Sequence, residues 1–259
     1  LWCVSKDNVK IPLFIVHKKE IKLNGENPLL LYGYGGFGIS IVPHFNKNIL
    51  PFLESGGIYA IANIRGGGEF GEKWHKGGVG RKKQKVFNDF ISSAEWLIKN
   101  RYTNSNKIGA IGWSNGGLLV GATITQRPDL FKVAIIGAPV LDMLRYHLFF
   151  GGRLWIPEYG NIENKKMFKY LLSYSPYHNI KNNILYPATL IITADNDDRV
   201  HPMHAYKMVA KLQELNTSSN PILLRTEATA GHGGAVSIYR LIEQEADILS
   251  FIFYHLGIK

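Results

Sequence analysis

Gly112-Trp113-Ser114-Asn115-Gly116-Gly117 sets a serine between two glycines, each two positions away. The run follows a β-rich stretch at 107–111 and precedes an apolar stretch at 118–125 that can continue as a helix. A G-x-S-x-G run between strand and helix describes a sharp turn that lifts a hydroxyl above a sheet and leaves no room for flanking side chains. A serine hydroxyl attacks a carbonyl only when a base removes its proton, and the base needs an acid to orient it. Two downstream loops supply such partners in the order serine, acid, histidine. A strand expected at 188–193 runs into Ala194-Asp195-Asn196-Asp197-Asp198-Arg199-Val200, and one at 221–226 is followed closely by Ala230-Gly231-His232-Gly233-Gly234. Ser114 is the expected nucleophile and His232 the expected base. The residues alone leave the acid open among Asp195, Asp197 and Asp198. One would orient the imidazole, another would cap a helix starting near Pro202, and the third would be structural.

Other chemistry-bearing patterns carry less. His201 and His204 could share a helical face, but Pro202 intervenes and no third ligand is patterned nearby, so no metal is expected. Gly33-Tyr34-Gly35-Gly36-Phe37-Gly38 and Gly66-Gly67-Gly68-Glu69-Phe70-Gly71 both fit G-x-G-x-x-G after strands. Dinucleotide binding also needs a helix opening on the glycines and an acid about 20 residues on. The residues after Gly38 and after Gly71 both read as loops, so no cofactor is expected.

The elements that must hold these loops alternate. Short apolar strands are expected at 29–31, 58–64, 107–112, 133–137, 189–193 and 222–226, with a further strand, antiparallel and at the sheet edge, at 9–17. Between them, Val86, Phe87, Phe90, Ile91, Ala94, Leu97 and Ile98 recur at helical steps. A last helix shows the same rhythm from Ile238 to Phe253. Strands alternating with helices pair in parallel, because each crossover returns the chain to the same end of the sheet. The expected architecture is an α/β-hydrolase fold over 1–259: one domain, a mostly parallel sheet, helices on both faces.

Composition excludes several classes. The chain has 259 residues, 46% hydrophobic and 19% charged, an ordinary globular balance. The formal charge of +10 comes from scattered lysines (Lys18, Lys19, Lys82, Lys83, Lys165, Lys166, Lys181) and no basic helix interleaved with aromatics, so a solvated basic surface is expected rather than a nucleic-acid site. No apolar run reaches the roughly 18 residues of a membrane span, and no secretory signal opens the chain. A lone cysteine, Cys3, fits a reducing compartment, and a cytoplasmic location is expected. The first residue is not Met, which suggests a fragment or excised domain.

Six motifs in one order resemble the catalytic domain of prolyl oligopeptidases. They are Leu31-Tyr-Gly-Tyr-Gly-Gly-Phe37, Ala62-Asn-Ile-Arg-Gly-Gly-Gly-Glu69, Trp74-His-Lys-Gly-Gly78, Gly112-Trp-Ser-Asn-Gly-Gly117, Gln126-Arg-Pro-Asp-Leu-Phe131 and Asp197-Asp-Arg-Val200. The resemblance covers nearly the whole chain and favours the prolyl branch over the basic-residue-cleaving oligopeptidase B branch. It implies a Ser114, Asp197, His232 triad, because Asp197 is the first acid of its motif. It also implies oxyanion donors at the Tyr34 hydroxyl and the Asn115 backbone N–H, and Arg199 on a substrate carbonyl. Trp155 would stack on a proline ring, in a pocket lined by Phe37, Val140, Tyr159 and Val200. Short peptides are the implied substrates, without metal or cofactor.

Departures accompany the resemblance. The family continues its histidine loop as Gly-His-Gly-Ala-Gly-Lys, whereas this chain has Gly231-His-Gly-Gly-Ala-Val236. Ala138-Pro139 and Gly151-Gly152 stand where bulkier or stiffer residues are expected. The family places a β-propeller before the segment that begins here; without it, an exposed apolar face near the catalytic loops, or a separate chain supplying the lid, is expected. An esterase or acylaminoacyl-type exopeptidase with the same triad, and an inactive remnant acting only as an interaction module, remain the alternatives.

Overall fold

A computed structural model describes residues 1–228, 230–232 and 237–258. The strands are β1 (Trp2–Val4), β2 (Lys10–Val16), β3 (Leu29–Gly33), β4 (Ile58–Ala62), β5 (Ile108–Trp113), β6 (Val133–Gly137), β7 (Ala188–Ala194) and β8 (Ile222–Glu227). The helices are α1 (Leu50–Glu54), α2 (Glu72–Lys76), α3 (Lys83–Lys99), α4 (Asn115–Gln126), α5 (Ile156–Tyr159), α6 (Lys165–Tyr174), α7 (Met203–Leu215) and α8 (Ile238–Leu256). One sheet runs in the order β1-β2-β4-β3-β5-β6-β7-β8. From β4 to β8 every pairing is parallel. The architecture is the α/β-hydrolase fold.

Alternation along each strand divides the core between two faces. Leu29 and Leu31 of β3, with Ala134 and Ile136 of β6, pack with residues of α3, α4 and α7. Leu30, Val133 and Ile135 point the other way, onto Phe52 of α1 and Ile248, Phe251 and Ile252 of α8. Among the described residues no helix is long and apolar enough to cross a membrane.

Four local expectations need correction. The 9–17 strand is antiparallel, as expected, but it is not the edge. β1 pairs outside it through Trp2↔Pro12 and Val4↔Lys10, and three residues are too few for a periodic signal. The stretch after Gly71 is a short helix, α2, rather than a loop. The preceding glycines serve close packing: a Cβ on Gly66 would stand 2.4 Å from the Gly35 carbonyl oxygen. No acid caps α7, which follows Pro202 without a side-chain cap. Lys83, counted with the solvated lysines, is fully buried.

The loop after β6 carries Val140 and is anchored to α7 by a histidine. His204 is 2% exposed, and its Nδ1 accepts the backbone N–H groups of Leu141 (3.3 Å) and Asp142 (3.0 Å). Only a neutral imidazole can accept these bonds. Burial accordingly pushes the His204 pKa down to about 4. The unfolded chain therefore takes up a proton below about pH 6.5 that the folded chain refuses until about pH 4, so stability falls as pH falls through that window. The loss attributable to His204 is of order 3 kcal/mol. Urea midpoints at pH 7 and pH 4.5 should separate strongly in the native chain and less in His204→Gln. An equal acid-induced loss in both would show that another group carries it.

Candidate active site

Parallel pairing puts the carboxyl ends of β3, β5, β7 and β8 on one side of the sheet, and each end carries one chemically competent loop. Ser114 follows β5 directly. Its backbone sits at φ 57°, ψ −115°, a conformation that costs a side-chain-bearing residue of order 1–3 kcal/mol. The turn is locked from both sides: Ser114 N–H donates to the Gly137 carbonyl at 2.8 Å, and Leu118 N–H donates to the Ser114 carbonyl at 3.1 Å. A Cβ on Gly112 would stand 2.2 Å from the Gly116 carbonyl oxygen, and one on Gly116 would stand 2.7 Å from the Gly33 carbonyl oxygen. Those contacts are the physical content of the two flanking glycines.

Of the three candidate acids, one lies against the histidine. Asp197 Oδ2 lies 2.8 Å from His232 Nδ1, with the carboxylate fully buried. Its Oδ1 accepts the backbone N–H groups of Arg199 (3.0 Å) and Val200 (2.8 Å), which fixes the carboxylate. Asp195 instead accepts the Tyr206 hydroxyl, and Asp198 is exposed. With Nδ1 engaged, His232 has Nε2 left for a proton transfer. Among the described residues His232 and Ser114 share no hydrogen bond, a separation common in unliganded sites that tighten when substrate arrives. The remainder of the histidine loop, 233–236, lies outside the described residues.

Tyr34 follows β3 and lines the same cavity as Ser114. Burial is the main cause that raises its pKa, with Tyr32 and Glu158 adding; the Ser114 hydroxyl and Arg199 oppose. The phenol thus keeps its proton at neutral pH and can donate. Asn115 opens α4, where backbone N–H groups lack intrahelical partners and the helix dipole favours negative charge. Its side chain, which sequence reasoning passed over, does separate work. Nδ2 donates to the Tyr34 carbonyl at 2.5 Å, and Oδ1 accepts the Tyr159 hydroxyl at 3.0 Å.

A cavity of about 200 Å³ adjoins Ser114. Of the residues expected in the pocket, Phe37, Val140, Trp155 and Tyr159 line it, and Tyr34, Ile39 and Arg199 join them. Trp155 lies parallel to Tyr146 (12° between planes) and perpendicular to Tyr159 (89°), so its indole is braced on two sides. Phe37 meets the Tyr159 ring edge-on at 5.6 Å. Val200 does not line the cavity. Its side chain is in the core and its N–H holds Asp197. Of the departing residues, Gly152 is sterically required, since a Cβ there would stand 1.9 Å from the Tyr146 carbonyl oxygen.

Behind this pocket are three residues that sequence reasoning did not find. Lys83, Glu158 and His75 form one chain of contacts, Lys83 Nζ to Glu158 Oε1 at 2.9 Å and His75 Nε2 to Glu158 Oε2 at 2.8 Å. A lysine in a basic run, an acid on a four-residue helix and a histidine upstream of the serine give no joint signal in one dimension.

Comparison with known proteins agrees with this geometry. Residues 43–259 match the signature described as the Prolyl oligopeptidase family. The chain is 52% identical over 260 residues to a prolyl endopeptidase of Elizabethkingia miricola, covering 100% of this chain and 37% of that protein. It is 45% identical to prolyl oligopeptidase A of Amanita bisporigera, covering 100% of this chain and 34% of that protein. A solved post-proline cleaving enzyme from Rickettsia typhi superposes with a TM-score of 0.96 at 37% identity, covering 100% of this chain and 37% of that one. The chain thus spans little more than a third of the length of these relatives. Fold, motif order and whole-chain identity lead to one assignment: this chain belongs to the prolyl oligopeptidase family.

Proposed function

We propose that the chain is the catalytic domain of a serine peptidase that hydrolyses short peptides after proline. The observation that carries this reading is the placement of one aromatic-walled cavity directly against a serine held in a strained strand-to-helix turn. Among the described residues that line the cavity, flat rings predominate and Arg199 is the one charged side chain, which suits a weakly polar pyrrolidine ring and the carbonyl preceding it.

In the proposed mechanism, His232 Nε2 removes the Ser114 proton as Oγ bonds to the peptide carbonyl carbon. The carbonyl π electrons move to oxygen, which the Tyr34 hydroxyl and the Asn115 backbone N–H receive. Asp197 holds the imidazole in the tautomer that presents Nε2 and stabilises the imidazolium. Collapse of the intermediate breaks the C–N bond, and His232 passes its proton to the leaving amine. Water then repeats the sequence on the acyl-enzyme. No residue of the site calls for a metal or cofactor.

Residues 1–259 act as one α/β-hydrolase domain, and we infer that a further segment or chain, in the place of the family's propeller, covers the catalytic side. Leu148, Phe150 and Leu154, on the segment leading into Trp155, are each at least 60% exposed, an apolar rim that needs such a cover. The single cysteine, buried and unpaired, agrees with a cytoplasmic setting.

The deciding assay is hydrolysis of blocked peptide amides with Pro, Ala, Phe, Lys or Arg before the scissile bond, with Ser114→Ala as the blank. Cleavage after Pro that falls at least about 10⁴-fold in the blank supports the mechanism. Cleavage of aryl esters without any amide would replace it with an esterase. Tyr34→Phe should lower kcat about 10²-fold with little change in KM, because it removes a donor to the developing oxyanion. Trp155→Ala should chiefly raise KM and narrow the gap between Pro and Ala substrates; unchanged selectivity would remove Trp155 from the pocket.

A further inference from the structure

We propose that Lys83, Glu158 and His75 form a buried clamp that positions the Tyr34 oxyanion donor and the proline pocket as one unit; the proposal rests on the peptidase reading above. The three residues are positioning residues, outside the reacting atoms.

The loop from Tyr34 to Phe37 is the part of the site least able to hold itself. Gly35 has φ 65° and Phe37 has φ 57°, so two of its four residues are in the left-handed region, and Phe37 pays for its Cβ there. The clamp grips the loop at its first strained residue, where Lys83 Nζ donates to the Gly35 carbonyl at 3.1 Å. The Glu158 carboxylate lies close enough to the second, Phe37, for that residue's backbone N–H to help hold its charge. Asn115 holds the Tyr34 carbonyl from the opposite side. With its backbone held at two successive carbonyls, the Tyr34 phenol has little freedom except rotation about its own bonds.

The same clamp reaches the pocket. Glu158 and Tyr159 are neighbours on α5, immediately after Trp155, and the Lys83 ammonium lies 5.2 Å from the centroid of the Tyr159 ring. His75, from α2, takes the second Glu158 oxygen. Segments from three separate parts of the chain thus meet at one carboxylate, and the oxyanion loop and specificity wall share it.

Stability alone is a poor reason for this arrangement. A buried ion pair recovers in Coulomb attraction roughly what its desolvation costs, and apolar replacements of similar volume often match it. What the pair supplies that apolar residues cannot is a directed hydrogen bond to one carbonyl of a strained loop and a carboxylate facing the next strained residue. Burial acts to raise the Glu158 pKa, but the Lys83 charge and the bonds from His75, Lys83 and the Phe37 backbone outweigh it, so the carboxylate stays ionised.

The test uses the longest native polypeptide that carries this chain. Lys83→Met alone strands a buried carboxylate and could unfold the protein, so the paired variant Lys83→Met/Glu158→Gln, which leaves no unpaired charge, is the main probe. Hydrogen exchange should be about tenfold faster or more in peptides covering 33–38 of the paired variant, with α4 and α7 unchanged. Unchanged exchange at 33–38, or a uniform increase everywhere, would overturn the clamp. On a prolyl amide, the pair should lower kcat about 10²-fold in the native background yet only a few-fold in a Tyr34→Phe background, because its effect passes through that phenol. Full multiplicative losses in both backgrounds would reduce the pair to a structural role. If the native protein cleaves no peptide amide, the peptidase reading fails, and the exchange comparison still decides the clamp.

Discussion

The close approach of two backbone turns, one leaving β5 and one leaving β3, is the constraint on which the site depends. At Gly116 the β5 turn comes so near the Gly33 carbonyl that any side chain would collide. That proximity holds Ser114 in its strained conformation and brings Tyr34 against it. Asn115 completes the junction, its amide bridging the Tyr34 carbonyl and the Tyr159 hydroxyl. Ser114, Tyr34 and Tyr159 are therefore placed by one packing event, and moving any of them moves the others.

Strain of this kind persists only where the surroundings over-determine it. Much of that support here is polar and buried. Arg65 makes paired contacts to Asp89 (2.6 and 2.8 Å) and to Asp7 (2.7 and 2.7 Å), fixing the strand exit after β4. Hydrogen bonding to Arg65 holds the Asp7 pKa down to about 2. His204 fixes the loop after β6, and the Lys83–Glu158 pair fixes the loop after β3. Asp89 takes the Arg65 backbone N–H, His204 takes those of Leu141 and Asp142, and Lys83 serves the Gly35 carbonyl, so each removes freedom from a loop near the carboxyl end of the sheet.

The legible part of the molecule was the part written in local patterns. Short, near-continuous apolar runs revealed the parallel strands, because burial on both faces leaves no polar side, and a helical apolar period revealed the long helices α3 and α8. The turn at Ser114 was legible because its steric demand falls on residues two positions away. Long-range partnerships left no such trace. Among Asp195, Asp197 and Asp198, chemistry alone could not choose, since the choice rests on where β8 delivers His232. Lys83 resembled its solvated neighbours in a basic run, although it is fully buried. Glu158, 75 residues away, and the Gly35 carbonyl explain it. The short elements β1 and α5 were invisible for a simpler reason: three or four residues cannot display a period.

The measurement that reaches the central claim most directly is a structure of the protein after reaction with a phosphonate ester bearing a proline residue at the reactive centre. The account predicts phosphorus bonded to Ser114 Oγ. One phosphonyl oxygen should accept both the Tyr34 hydroxyl and the Asn115 backbone N–H, with the pyrrolidine ring against Trp155 and His232 Nε2 turned toward Oγ. An adduct on any other residue, or one on Ser114 whose oxygen points away from Tyr34 and Asn115, would contradict it.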